Sequence, residues 1–355
     1  MKKACFLLLL TWGISITAFS QEFLWKTDVY SFFDNTEFSG SEVQNDQTMA
    51  GIHLAPQIGL NWNKRHRIFA GVDLLHDFAS DEAIDEYKPI VYYEFQGKML
   101  QFYMGAVPRK NLLDKYPRMF FQDSITNYRP TINGFFWELN KNKHYANVWL
   151  DWTGKQSKDT NEAFFMGWSG RYNYKLLYAQ HFGYMFHYAL KKDADINESV
   201  HDNGLVLTSI GLDFSKLTGF EQLEINAGWS VGLDRDRNIG EWNTPQGFLS
   251  ETKIEYKGIG LFNTLYLGES QQIFHKDHSS KLYWGDSFYR LKKYNRTDFD
   301  IHFIKSQVVN IKFTCSLHFA ESKVYGQQIF NVSFNLNNLP KQQQKKYEYL
   351  WDDWF

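Results

Sequence analysis

The sequence predicts an all-β fold: a closed antiparallel transmembrane β-barrel of about 16 strands, with about 14 to 18 compatible. Three observations lead there. Apolar and polar residues alternate with period two in segment after segment. The connections between these segments alternate between short and long. Aromatic residues are abundant, with 31 Phe, 21 Tyr and 12 Trp, although the mean hydropathy is negative.

The first element is a leader. Lys2 and Lys3 precede the apolar run CFLLLLTWGISITAF, and Ala18-Phe19-Ser20 before Gln21 fits a small-x-small cleavage site. The run is too short to span a bilayer as a helix, and polar sequence follows at once. Cys5 stands too early in it to be a lipoprotein acceptor. The expected organisation is a signal peptide over 1–20, an exported barrel over 21–338 and a periplasmic tail over 339–355. The mature part keeps only Cys315, so no intramolecular disulfide forms. A net charge of -2 gives no reason to expect a nucleic-acid partner.

The strands follow in order. MAGIHLAPQIGLNW sets Ala50, Ile52, Leu54, Ile58, Leu60 and Trp62 against His53, Gln57 and Asn61. RIFAGVDLL, LEINAGWSVGL and VNIKFTCSLHF repeat the pattern at Ile68, Leu223 and Val309. Less regular segments begin near Trp25, Ile90, Leu100, Ile132, Tyr145, Ala163, Leu176, Leu205, Phe248, Ile259, Asn295 and Ile329. Pro56 removes one donor inside a good strand and reads as a bulge or a frayed end. Trp25, Trp62, Trp137, Trp152, Trp168, Trp229 and Tyr256 read as interfacial aromatics at strand ends.

The connections sort by length. Those at 63–66, 96–98, 141–143, 172–174, 215–219, 257–258 and 306–307 are short. Those at 34–48, 80–87, 108–130, 191–203, 234–245 and 270–287 are long. Outer-membrane barrels have short periplasmic turns and long outside loops, and an even strand count leaves both chain ends on the short side. In lipid every backbone polar group must be paired within the protein, so strands are viable only in a closed sheet. The oily face of each strand therefore lies against outer-membrane lipid and lipopolysaccharide.

On this architecture the chain resembles a Gram-negative outer-membrane porin, and is similar to the porin-like barrels of Bacteroidota. The resemblance implies that the third long loop, PRKNLLDKYPRMFFQDSITNYRP (108–130), folds inward and narrows a pore. Its charged residues Arg109, Lys110, Asp114, Lys115, Arg118, Asp123 and Arg129 are the constriction candidates. Leu112, Leu113, Met119, Phe120, Phe121 and Ile125 are too many apolar residues for a solvated loop. The acidic loop motif of general porins is absent, so individual roles do not transfer. Polar-face parity makes Arg67, Asp73, Glu94, Glu138, Asp151, Arg171, Glu224, Lys253, Arg296 and Asp298 the lumen-wall candidates, paired across the lumen. Their mixed signs predict little charge selectivity. Tyr103, Phe136 and Trp149 are inward aromatics. The tail NNLPKQQQKKYEYLWDDWF departs from barrels that end on their last strand.

Catalytic groupings are sparse. FHKDHSS offers His275, Asp277, His278 and Ser279, with Asp286 and Ser287 nearby, in an exposed polar loop. GWSG (167–170) lacks the second half of a nucleophile elbow and lies in a strand. The expectation is therefore a channel for passive diffusion of small hydrophilic solutes, with a homo-oligomer such as a trimer compatible, and with no cofactor, no metal and no catalysis. The alternatives are a lipid-modifying outer-membrane enzyme and a non-conducting adhesion or scaffold barrel.

Overall fold

The computed structural model describes residues 21–195, 198–339 and 347–351. The expected signal peptide lies outside the described residues, as do 340–346 and 352–355 of the expected tail. Sixteen strands among the described residues close into one barrel in chain order. They are β1 (Glu22–Glu37), β2 (Gln47–Trp62), β3 (His66–Asp77), β4 (Glu86–Gln96), β5 (Leu100–Pro108), β6 (Thr131–Lys141), β7 (His144–Gly154) and β8 (Ala163–Tyr174). The second half is β9 (Leu177–Tyr188), β10 (His201–Asp213), β11 (Gln222–Asp236), β12 (Gln246–Tyr256), β13 (Ile259–Gly268), β14 (Lys293–Lys305), β15 (Val309–Ala320) and β16 (Lys323–Asn337). Antiparallel pairing of β1 with β16, Phe33 opposite Phe330, closes the sheet.

Every expected segment is a strand, but several run farther than their alternation. β1 continues to Glu37, β10 begins at His201 and β11 reaches Asp236, so those outside loops are shorter than expected. Backbone pairing needs no apolar face once the strand has left the lipid. Pro56 makes no bulge: Leu54 opposite Leu74 and Gln57 opposite Gly71 share one register, and the β2–β3 ladder merely skips the two residues between. The register shifts lie instead at Trp152/Gly154 and His302/Ile304.

The two faces separate as the parity demands. In β11, Ile225 and Trp229 are 46% and 53% exposed on the outside, while Asn226 and Ser230 are buried inside. Phe23, Ile58, Met104, Ile210 and Phe299 are likewise exposed and outward, an apolar band that only lipid covers favourably. Trp168 and Trp229 stand in mid-strand rather than at strand ends, so they are wall residues and not part of an aromatic girdle.

Two long loops fold into the barrel. One is 109–130, carrying α1 (Ser124–Tyr128). The other is 269–292, carrying the single turn α2 (His275–His278). They bond to each other, Gln122 N donating to Trp284 O at 2.8 Å and Asp286 N to Arg118 O at 2.9 Å. Leu113, Met119, Phe120, Leu282, Trp284 and Phe288 then pack with Trp149, Phe165 and Phe182 of the inner wall in one buried cluster. The expectation of a solvated 270–287 loop is thus corrected: Leu282, Tyr283, Trp284, Phe288 and Tyr289 cannot remain in water and are drawn inward.

Candidate functional site

Inside the barrel, all ten lumen-wall candidates face inward and most are held by a partner. Arg67 bonds Glu94 at 2.8 Å, Arg171 bonds Glu224 at 3.0 Å, and Lys253 approaches Glu251 at 3.9 Å. The inward loop docks by charge. Arg109 pairs with Asp151, and Lys115 meets Glu138 at 3.4 Å. Arg118 spans Asp123 at 2.8 Å and Asp298 at 2.9 Å, while Arg296 bonds Asp298 at 2.7 Å and Asp123 at 3.0 Å. Burial opposes ionisation of Asp123, but Arg118 and Arg296 outweigh it and hold its carboxyl well below the usual carboxylate range. Burial lowers the Lys110 ammonium and raises the Asp114 carboxyl, and Lys110 lies over the Tyr30 ring at 4.9 Å. Arg129 stacks on Trp284 at 5.4 Å. Four of the seven constriction candidates are therefore committed to wall or loop partners of opposite charge. Cavities of about 450 and 560 Å³ remain beside β1, both touching Tyr30, Arg109 and Lys110.

Several histidines among the described residues have a carboxylate or serine beside them, as a catalytic base would, and geometry separates three of these pairs. His53 Nδ1 lies 2.6 Å from Asp73 Oδ1, and its Nε2 lies 2.7 Å from the Asn127 carbonyl of α1. Both ring nitrogens face oxygen acceptors inside the lumen, so none is left for a substrate. His275 Nε2 lies 3.3 Å from Ser287 Oγ, which resembles a nucleophile and its base. Arg290 Nη1 stands 3.1 Å from His275 Nδ1, and a guanidinium only donates. The proton must then sit on Nε2, and the ring cannot accept one from the serine. Burial and Arg290 also push this imidazole down. His278 Nε2 is occupied by His201 Nε2 at 2.8 Å. Ser169 of GWSG bonds Asn147 at 2.9 Å, and Gly167 is there for Trp149, since a Cβ would sit 2.1 Å from Cζ2 of that ring.

The third pair faces outward. His187, one residue from the outer end of β9, stands directly opposite Asp202 of β10. Its Nδ1 lies 3.3 Å from Asp202 Oδ1. Arg237, just past β11, clamps the same carboxylate through Nε and Nη2, both at 2.7 Å. Phe164 packs against the His187 ring at 5.2 Å, with Trp152 stacked behind Phe164 at 5.1 Å. Among the described residues His187 Nε2 and Arg237 Nη1 have no hydrogen-bond partner, and His187 is of outward parity near the outer end of its strand. Arg237 Nη2 also stands 3.5 Å from His187 Nδ1, but Asp202 Oδ1 is nearer at 3.3 Å; with the carboxylate as partner the proton sits on Nδ1 and the lone pair on Nε2, which is how a general base is oriented.

Sequence reasoning did not single out these residues, yet a signal was present. In LYAQHFGYMFHY, His187 shares parity with Ala179, Gly183 and Met185, the lipid-facing set. Asp202 shares parity with Val206 and Ile210. Polar groups in that set are costly in lipid and point to function.

Comparison with known proteins gives two results. The model of the family described as Lipid A 3′-O-deacylase-type matches residues 17–342. That overturns the expectation of a protein without catalysis, because the family is one of enzymes. Among solved structures, the barrel is similar to an anion-selective porin from Comamonas acidovorans, with a TM-score of 0.53, 10% identity, and 89% of this chain and 99% of that one covered. It is also similar to a loop deletion mutant of OmpT, an outer membrane protein of Vibrio cholerae, with a TM-score of 0.52, 6% identity, and 89% and 100% covered. At such identities the likeness establishes a porin-like barrel and nothing finer. No curated protein matches the chain.

Proposed function

The chain belongs to the lipid A 3′-O-deacylase-type family, and from that membership we propose an outer-membrane hydrolase that cleaves an acyl ester of a lipid A-class glycolipid. The observation that supports this is the pair His187–Asp202, on outward parity near the outer ends of β9 and β10, with the carboxylate on Nδ1. An ester carbonyl of an acylated glucosamine sits at this boundary, between sugar and hydrocarbon. His187 Nε2 takes a proton from water, and the hydroxide adds to the ester carbonyl carbon. Collapse of the tetrahedral intermediate breaks the bond to the sugar oxygen. That oxygen leaves with the proton returned by His187, giving a fatty acid and a free hydroxyl. Asp202 holds the imidazolium meanwhile. Arg237 Nη1 is available to a substrate phosphate or to the developing oxyanion.

The test is turnover. Folded protein mixed with lipid A in detergent micelles is expected to release free fatty acid and leave a product one acyl chain lighter by mass spectrometry. Recovery of intact lipid A across pH and divalent-ion conditions sinks the reading.

A second activity, passage of small hydrophilic solutes, is supported by the two lumen cavities that meet at Tyr30, Arg109 and Lys110. In planar bilayers it predicts small conductance steps that grow when 112–127 is deleted. Silence from both forms removes it.

A further inference from the structure

The outer wall carries a second polar feature about 20 Å along β9 from His187, near the short-turn end and so at the level of the other leaflet. Trp168, His181 and Thr208 all have outward parity on β8, β9 and β10. Trp168 Nε1 donates to His181 Nε2 at 2.9 Å, and His181 Nδ1 lies 2.8 Å from Thr208 Oγ1. An indole N–H only donates, so Nε2 accepts and the imidazole proton is on Nδ1. That proton goes to Thr208, whose oxygen accepts it. The hydroxyl hydrogen of Thr208 is then the donor end of the chain, on an exposed residue of a wall that faces lipid.

Beside this chain lies a groove of about 480 Å³. Strand register puts Leu139, Ala146, Gly170, His181 and Thr208 in one row across β6 to β10. The small residues Ala146 and Gly170, with Ala179 diagonally below, make the floor; Leu139 and Tyr172 rise at its sides. Its lower mouth is polar. Lys141 is exposed there, and His144 packs on Tyr172 at 4.7 Å. The backbone N–H of Asn173 donates to His144 Nδ1 at 3.1 Å, which places the ring proton on Nε2 as a second donor.

The geometry points to a binding site for a diacyl glycerophospholipid of the periplasmic leaflet. Its phosphate lies against Lys141 and His144, an ester carbonyl accepts from Thr208, and one acyl chain fills the groove over Ala146 and Gly170. The order of groups matches the molecule: anion at the water boundary, acceptor just inside, hydrocarbon alongside. A hydrogen-bond chain whose free end is a donor asks for an acceptor, and in this layer the ester carbonyl supplies it. The site stands at the opposite end of the wall from His187 and does not depend on the proposed hydrolysis.

Native mass spectrometry of the detergent-purified barrel, titrated with phosphatidylglycerol, tests it. One phospholipid per chain is expected to survive detergent that strips bulk lipid. Thr208→Val, which keeps the side-chain shape, and Ala146→Leu, which fills the groove, are each expected to weaken retention about tenfold. Ile58→Ala on a distant part of the outer wall should not. Thr208→Val is the decisive variant should Ala146→Leu fail to fold. Equal retention in all three variants overturns the site. So does a fall in the number of chains per particle with Ala146→Leu, which would make the groove a contact between copies.

Discussion

Two of the histidine–aspartate pairs in the barrel, His53–Asp73 and His187–Asp202, differ in which side of the wall they occupy. His53–Asp73 faces the lumen, and the Asn127 carbonyl takes the remaining ring nitrogen. His187–Asp202 is on the lipid-facing parity, with Arg237 on the carboxylate and no partner on Nε2 among the described residues. The inner pair has the shorter contact, 2.6 Å against 3.3 Å, yet it is the outer one that can do chemistry. The inner histidine is a fastener that holds α1 to β2. Closeness of the dyad is a poor guide; an unoccupied second nitrogen on a substrate-accessible face is the useful criterion.

The contrast breaks most readily at the histidines. His187→Ala is expected to lower acyl-ester hydrolysis by about 10²- to 10⁴-fold, read as fatty acid released per minute. His53→Ala should leave that rate unchanged and instead loosen 109–130, at a cost of ~1–3 kcal/mol seen as faster hydrogen exchange in the loop. Equal losses from both variants would make the inner pair catalytic too.

The next effect concerns what the lumen side is for. Arg296→Met removes one of the two cations shared by Asp298 and Asp123 and leaves Arg118 as the other, which is expected to destabilise the docked loop by ~1–3 kcal/mol. Limited proteolysis between 110 and 128 should report it, with hydrolysis by the outer pair retained. Protection equal to that of the unaltered protein would show that apolar packing alone holds the loop.

A smaller effect is pH-dependent. The Asp123 carboxyl is held below its unfolded value, so its stabilisation is complete above an ordinary 3.8 and is lost as pH falls toward the lower folded value. Hydrogen exchange in 110–128 should stay slow at pH 4 to 5 and rise only below about 3.8. Asp123→Asn should abolish that acid limb. A midpoint near neutrality would assign loop release to a different group.

Much of this is legible in the sequence. The alternation in LEINAGWSVGL and its counterparts locates all sixteen strands, because lipid on one side and water on the other impose a strict period of two. Inward folding of 109–130 followed from Leu112, Phe120 and Phe121. The same argument applied to Leu282, Trp284 and Phe288, but the polar run FHKDHSS in front of them disguised it. The outer pair was harder to see. His187 and Asp202 belong to strands joined by a long loop, and only the β9–β10 register sets them opposite each other. What the sequence did offer was a histidine and an aspartate on lipid-facing parity, where alternation calls for apolar side chains.

The central claim is that acyl-ester hydrolysis occurs on the outer face at His187. The direct measurement is fatty-acid release from lipid A by the unaltered barrel, His187→Ala and His53→Ala, each first shown to be folded. The account predicts release by the unaltered protein and by His53→Ala, and loss in His187→Ala. Release that survives His187→Ala, or that disappears only in His53→Ala, would contradict it.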